Sequence, residues 1–307
     1  MSIKGAGRCK AQSSPDEGRY DMSLKHLIAI AAGEDDDDRA LGLSARLARE
    51  HDAVVEVLPI YPDSAADMVA LGLSLGATLS PAAVEDLAAA ERALQGRIED
   101  SAQTAARQAD VAFGSGHGAP RMAVLGRSLR PALALSRHAP LADLVIFGQG
   151  HLDQGLGREM FAQCLLSDRA PVLVGRLDAD SLSGPAAIAW DGSPQAGRAV
   201  KAALPLLAMA SGIHILQFVT GLNQRASDPD IDRLNLYLRL HGVGEGTPVL
   251  VEGDNEANAL LAAAKGRMAT LLVAGAWGHS RLREAVFGGA TRAFLGCTDG
   301  PNLLLTH

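Results

Sequence analysis

The chain has 307 residues, 48% of them hydrophobic, enough for two ordinary domains with a core each, which excludes a fibre, a disordered chain and a disulfide-stapled miniprotein. Lysine and arginine number 28 against 35 aspartates and glutamates, and the net charge of −7 argues against a broad phosphate-binding surface and so against nucleic acid as the main partner. Cys9, Cys164 and Cys297 are far apart, odd in number and without metal-ligand spacing, as expected of thiols in a reducing compartment, here the cytoplasm.

Residues 1–21 lack apolar periodicity and are expected to be disordered, with Met22 as the natural start and the tail drawn at 1–22. The longest apolar runs, Leu27–Ala32 and Leu271–Ala274, fall far short of the roughly 18 to 20 residues that cross a bilayer, so no membrane partner is expected. In the first half the expected strands are Leu27–Ala31, Val54–Ile60, Arg121–Leu125, Asp143–Phe147 and Pro171–Gly175. The acidic run Glu34–Asp38 reads as a solvated turn rather than a metal site. A helix around Ala65–Leu75 precedes a longer one from Pro81 to about Asp110, capped by Ser80. Asp178–Pro185 reads as a short polar linker. The second half then offers strands at Ala186–Trp190, His214–Val219, Pro248–Glu252, Thr270–Ala274 and Asn302–Thr306. Its helices run from Pro194 to about Met209, with Ser193 as N-cap, from Asp230 to His241 and from Asn255 to Lys265.

Three anchors recur in one order. Ile28–Gly33 with Arg39-Ala40 matches Ile188–Gly192 with Arg198-Ala199; Ala142–Gly148 matches Ala269–Gly275; and Pro171-Val-Leu-Val matches Pro301–Leu305. A duplicated βαβ domain follows, the first copy at 23–177 carrying about one extra helical hairpin and the second at 186–307, with 178–185 between them. The fold class expected is α/β, two doubly wound five-stranded parallel sheets.

In such a sheet the ligand crevice lies beyond the carboxyl ends of the first and fourth strands. In the second half these ends carry Asp191-Gly192-Ser193 and a glycine-rich run from Gly275 through Gly278, Gly288 and Gly289 to Ala290 and Thr291. Glycines there let backbone approach a phosphate, and a helix opening at Gly289 would aim its N–H groups at the anion. Asp191 is placed to accept from an adenine amine or a ribose hydroxyl.

With these residues in view the chain resembles a tandem universal stress protein, with the adenine-nucleotide alpha-hydrolase-like fold. The run fits that family's pattern of Gly, two residues, Gly, nine residues, Gly, then Ser or Thr, except that Gly289 stands where the hydroxyl residue belongs. The resemblance implies that Ala189, Trp190, Asp191 and Val219 hold base and ribose. Gly275, Gly278, Gly288, Gly289, Ala290 and Thr291 would line the phosphates of ATP or another adenine nucleotide, with or without Mg2+. Trp190 is bulkier than the small aliphatic residue expected there. The resemblance also implies that the last strands, 171–175 and 302–306, pair antiparallel, making the chain an intrachain pseudo-dimer, with homodimerisation and an unknown protein partner left open.

The first half departs further. Ala32 stands in place of Asp191, and Gly148, Gly150, Gly155 and Gly157 have the wrong spacing, so this site reads as degenerate. His279 has no partner for catalysis, Arg281 and Arg283 read as solvated, no function falls to His26 or His307, and Cys297 reads as a small core residue. The leading function is a nucleotide-dependent stress-response regulator with at most weak ATP hydrolysis and no catalytic residue or metal site. The alternative is an interaction module of the same fold without nucleotide; an ATP-activating enzyme is a third reading, lacking any nameable base.

Overall fold

The computed structural model describes residues 23–60, 80–126, 128, 130–153, 155–219, 229–276 and 289–307. The helix expected around 65–75, Gly278, Gly288, His279, Arg281 and Arg283 lie outside the described residues, as does Cys9.

Strands in the first half are β1 (His26–Ala31), β2 (Val54–Pro59), β3 (Ala112–Phe113), β4 (Arg121–Val124), β5 (Leu144–Gly148) and β6 (Val172–Gly175). In the second half they are β7 (Ala186–Ala189), β8 (Ile213–Phe218), β9 (Gly246–Val251), β10 (Leu271–Gly275) and β11 (Asn302–Thr306). The described helices are α1 (Asp37–His51), α2 (Pro81–Gln108), α3 (Pro131–His138), α4 (Gly155–Leu166), α5 (Pro194–Met209), α6 (Ile231–Leu240), α7 (Glu256–Gly266) and α8 (Gly289–Gly296). Ser80 and Ser193 cap α2 and α5, each hydroxyl accepting from the N–H three residues on, with proline at the first helical position. The two-residue β3 adds a strand that sequence periodicity does not reveal.

The two parallel sheets join edge to edge. Strand order is β3-β4-β2-β1-β5-β6-β11-β10-β7-β8-β9, one 11-stranded sheet in which, among the described strands, β6 and β11 are the neighbours that run antiparallel. Leu303 faces Val174, Leu304 faces Leu173 and Leu305 faces Val172, and all six are fully buried. Near-continuous apolar runs on these central strands follow from helices covering both faces. One core, under α1, α2, α5 and α6, contains Leu173 and Leu304 together; the other, under α3, α4, α7 and α8, contains Val172, Val174, Leu303 and Leu305. Both cores therefore cross the seam without a break.

A polar latch closes the end of the seam. Arg176, 4% exposed, donates from Nε to Gln149 Oε1 at 2.7 Å, from one guanidinium nitrogen to Pro301 O at 3.1 Å, and from the other to Phe294 O. Asn302 Oδ1 accepts from Arg176 N at 2.8 Å and Leu177 N at 3.0 Å, and its amide donates to Ser181 Oγ at 2.8 Å. Gln149 donates in turn to Leu295 O at 2.8 Å. Burial pulls the guanidinium down to about 10, with Cys297 and Asp299 acting in the opposite direction, so it remains charged at neutral pH. The segment 178–185 is tied down as well, through the 3-10 turn Ala179–Ser183 and buried Leu182.

Cys297 packs against the rim of one core rather than inside it: it follows α8, is half-buried, and its thiol lies 3.5 Å from Asp299 Oδ1. The helix ends at Gly296, one residue before Cys297, and the chain then turns toward β11. Cys164 is the core thiol, and burial together with the Asp168 charge pushes it up to about 12. No described helix is long and apolar enough to cross a membrane.

Arg176→Met keeps the apolar stem but leaves three acceptors unmet; a loss of about 2 to 4 kcal/mol in urea unfolding is expected, and an unchanged midpoint would show that the latch contributes nothing. Iodoacetamide at pH 8 is expected to leave Cys164 unmodified in the folded chain and to label it in denaturant, read by peptide mass spectrometry. Because the unfolded thiol ionises first, Cys164 also makes the fold less stable as pH rises from about 9 toward 12, a slope that Cys164→Ala removes.

Candidate functional site

Each half ends its first strand in the same way, with a glycine at positive φ leading into a helix: Gly33 at 77° after Ala32, and Gly192 at 72° after Asp191. The strands β5 and β10 also each end in a glycine that the helix start presses upon. A Cβ at Gly148 would meet Asp36 O at 2.8 Å, and one at Gly275 would meet Ala196 N at 2.7 Å. The repeated glycine is thus required by helix packing in both halves, independently of any ligand.

The two crevices are filled differently. In the first, Asp37 turns back from the first turn of α1 and accepts from Ala32 N at 2.8 Å and Gly33 N at 2.7 Å. Its Oδ1 also takes His151 Nε2 at 2.8 Å, and both side chains are 1% exposed. His151 Nδ1 accepts from Gly148 N at 3.1 Å, which places the ring proton on Nε2, facing Asp37. Asp36 accepts from Gly150 N and from Arg39 at 3.2 Å. Backbone N–H groups that would meet an anion at a switch point are here spent on the chain's own carboxylates. Above them an opening of about 630 Å³ is lined by Glu34, Asp35, Asp36, Asp38, Asp178, Arg39 and Gly150.

The acidic run is therefore not simply a solvated turn. Glu34, Asp35 and Asp38 are exposed, but Asp37 is buried and Asp36 half-buried, because the unpaired N–H groups around the β1 and β5 ends need acceptors. No group of His, Cys, Asp and Glu suited to a metal ion occurs among the described residues.

In the second crevice Asp191 Oδ1 accepts from Ser193 N at 2.9 Å and holds the turn, and Ser193 Oγ caps α5 through Ala196 N at 3.1 Å. Trp190 N donates to Leu216 O at 2.9 Å and Val219 N to Val251 O at 3.1 Å, so Ala189, Trp190, Asp191 and Val219 meet at the carboxyl ends of β7 and β8. Gly275 lies on the other side of β7, at the end of β10. All five are half-buried. Gly289, Ala290 and Thr291 open α8, as expected from the sequence.

Counting from the aligned glycines, Asp37 corresponds to Ala196 and His151 to Gly278. The buried acid–imidazole pair of one half is an alanine and a glycine in the other. Sequence reading missed His151 and the role of Asp37; the signal lay in the register of the repeat rather than in any motif.

No family model and no curated protein matches the sequence. Solved structures do match the fold. A universal stress protein from Archaeoglobus fulgidus DSM 4304 superposes with a TM-score of 0.64 at 12% identity, over 93% of this chain and 97% of that one. A protein of unknown function from Pseudomonas aeruginosa PAO1 superposes with a TM-score of 0.54 at 11% identity, over 94% of each chain.

Asp37→Ala strands two backbone donors and the His151 N–H, and a loss of about 3 to 5 kcal/mol is expected in chemical denaturation; a change under about 1 kcal/mol would mean the pair does not hold the first crevice. With its two parallel half-sheets joined in one polypeptide, the chain has the universal stress protein fold.

Proposed function

We propose that this chain is a stress-response regulator of universal stress type that binds one adenine nucleotide, ATP or ADP, in the crevice of its second half. The observation that carries this reading is the difference between the two crevices. Where the first spends its N–H donors on Asp36 and Asp37 and fills its volume with His151, the second has Ala196 and Gly278 at the matching positions. Asp191 and Val219 stand at the rim for ribose and base, and the Gly275–Thr291 run supplies glycines and a helix start for the phosphates. Gly289 provides a backbone N–H without the hydroxyl expected beside it. The regulatory output is a nucleotide-dependent change in the surface offered to a protein partner, and no catalytic base enters it.

The test uses the whole chain. Purified without added nucleotide and then denatured, it is expected to release ATP, ADP or AMP, or, if empty, to bind ATP by calorimetry with one site per chain. Installing the first-half pair in the second, Ala196→Asp with Gly278→His, is expected to abolish binding, and Gly289→Ser to tighten it by about threefold to tenfold. No released nucleotide and no heat with ATP would sink the reading and leave the interaction module; undiminished binding in the double variant would place the nucleotide elsewhere.

A further inference from the structure

A cavity of about 330 Å³ lies between the first two turns of α5 and α6, lined by Trp190, Gly197, Val200, Lys201, Arg233, Leu234 and Tyr237 together with Gly192. That volume falls within the range of small-molecule sites, roughly 300 to 1,000 Å³. Its walls are held in place: Asn235 on α6 accepts from Gly246 N at 2.8 Å and donates to Gly246 O at 3.2 Å, fixing the helix to β9. Leu234 and Val200 are buried in the core beneath, and Trp190 and Tyr237 pack against it.

Four features give the cavity a chemistry. Two aromatic side chains and two aliphatic ones make its body apolar and suited to a flat ligand. Lys201 and Arg233 are exposed beside it, and no carboxylate occurs among its described lining residues. Burial raises the Tyr237 phenol above its usual value, so it presents an un-ionised hydroxyl. The Trp190 indole N–H is buried without an acceptor.

Gly197 is the fifth and most informative. It sits inside α5, where glycine costs about 1 kcal/mol relative to alanine, yet a Cβ there would meet no heavy atom within 4 Å. Helix packing does not require it, unlike Gly275, and what its missing side chain leaves is space at the cavity. We propose that this cavity is a binding site for a planar apolar anion, an aromatic carboxylate, with the rings of Trp190 and Tyr237 against the ligand and Lys201 and Arg233 at its charge. Trp190 and Gly192 lie at the end of β7, where the nucleotide reading also places Asp191, but the rest of the lining belongs to α5 and α6 and the proposal does not require a bound nucleotide.

The experiment titrates the full chain with 2-naphthoate by calorimetry, with uncharged 2-naphthamide as the comparison. One site per chain is expected, with the amide weaker by at least about tenfold. Lys201→Gln and Arg233→Gln should each weaken naphthoate by about threefold to tenfold. Gly197→Leu should abolish its heat while the melting temperature holds, and Gly197→Ala should keep binding and melt higher. Saturating ATP should leave the naphthoate affinity unchanged. Absence of heat with naphthoate, equal binding of acid and amide, or undiminished binding in Gly197→Leu would each overturn the proposal. Displacement by ATP would overturn it as a separate site and assign the cavity to the nucleotide. Should Gly197→Leu unfold, the two exposed-cation variants decide the matter alone.

Discussion

Everything else in this molecule rests on the antiparallel pairing of β6 with β11. Parallel βαβ units each leave their last strand as an edge, and an apolar edge with unpaired N–H and C=O groups is a site for uncontrolled association. Here the two last strands satisfy one another within a single polypeptide, and Arg176 with Asn302 and Gln149 secures the end of the joint. The consequence is one continuous sheet with two cores that run through it, so the halves share their stability. A fixed relation between the halves also frees each crevice to follow its own chemistry.

The two crevices have diverged by opposite solutions of one physical problem. Strand ends and helix starts present N–H groups that must find acceptors. The first half meets that need internally, with Asp36, Asp37 and the buried His151. In the second half Asp191 braces the turn through Ser193 N, and the sequence carries Ala196 and Gly278 at the positions that match the filling pair. A buried carboxylate paired with an imidazole and two backbone donors is held in place by each of its partners, and its loss cannot be absorbed by small adjustments. The divergence therefore rests on a few positions, distant in sequence, that meet at the strand ends.

Most of the architecture is legible in the residues. Ser80-Pro81 and Ser193-Pro194 mark helix starts because the hydroxyl and the fixed proline φ act within one turn, and both helices begin there. The central strands announce themselves as apolar runs because both faces are covered, and the 302–306 strand falls where it was expected. Less local facts were out of reach. Asp37 and His151 are 114 residues apart, and nothing in either neighbourhood signals that they meet. The role of Gly275 was read as ligand access, whereas the close approach of α5 accounts for it as well. Cys297 looked like core because it follows an apolar helix, but the chain turns there and leaves the thiol half-buried. The cavity beside Gly197 likewise arises from two helices whose spacing no periodicity encodes.

The most direct test of the central claim, that the two crevices differ in whether they accept a nucleotide, is amide hydrogen exchange of the whole chain with and without saturating ATP. The account predicts slower exchange confined to segments 189–193 and 275–296, with 32–37 and 148–152 unchanged. Protection of the first-half segments, or no change anywhere, would contradict it.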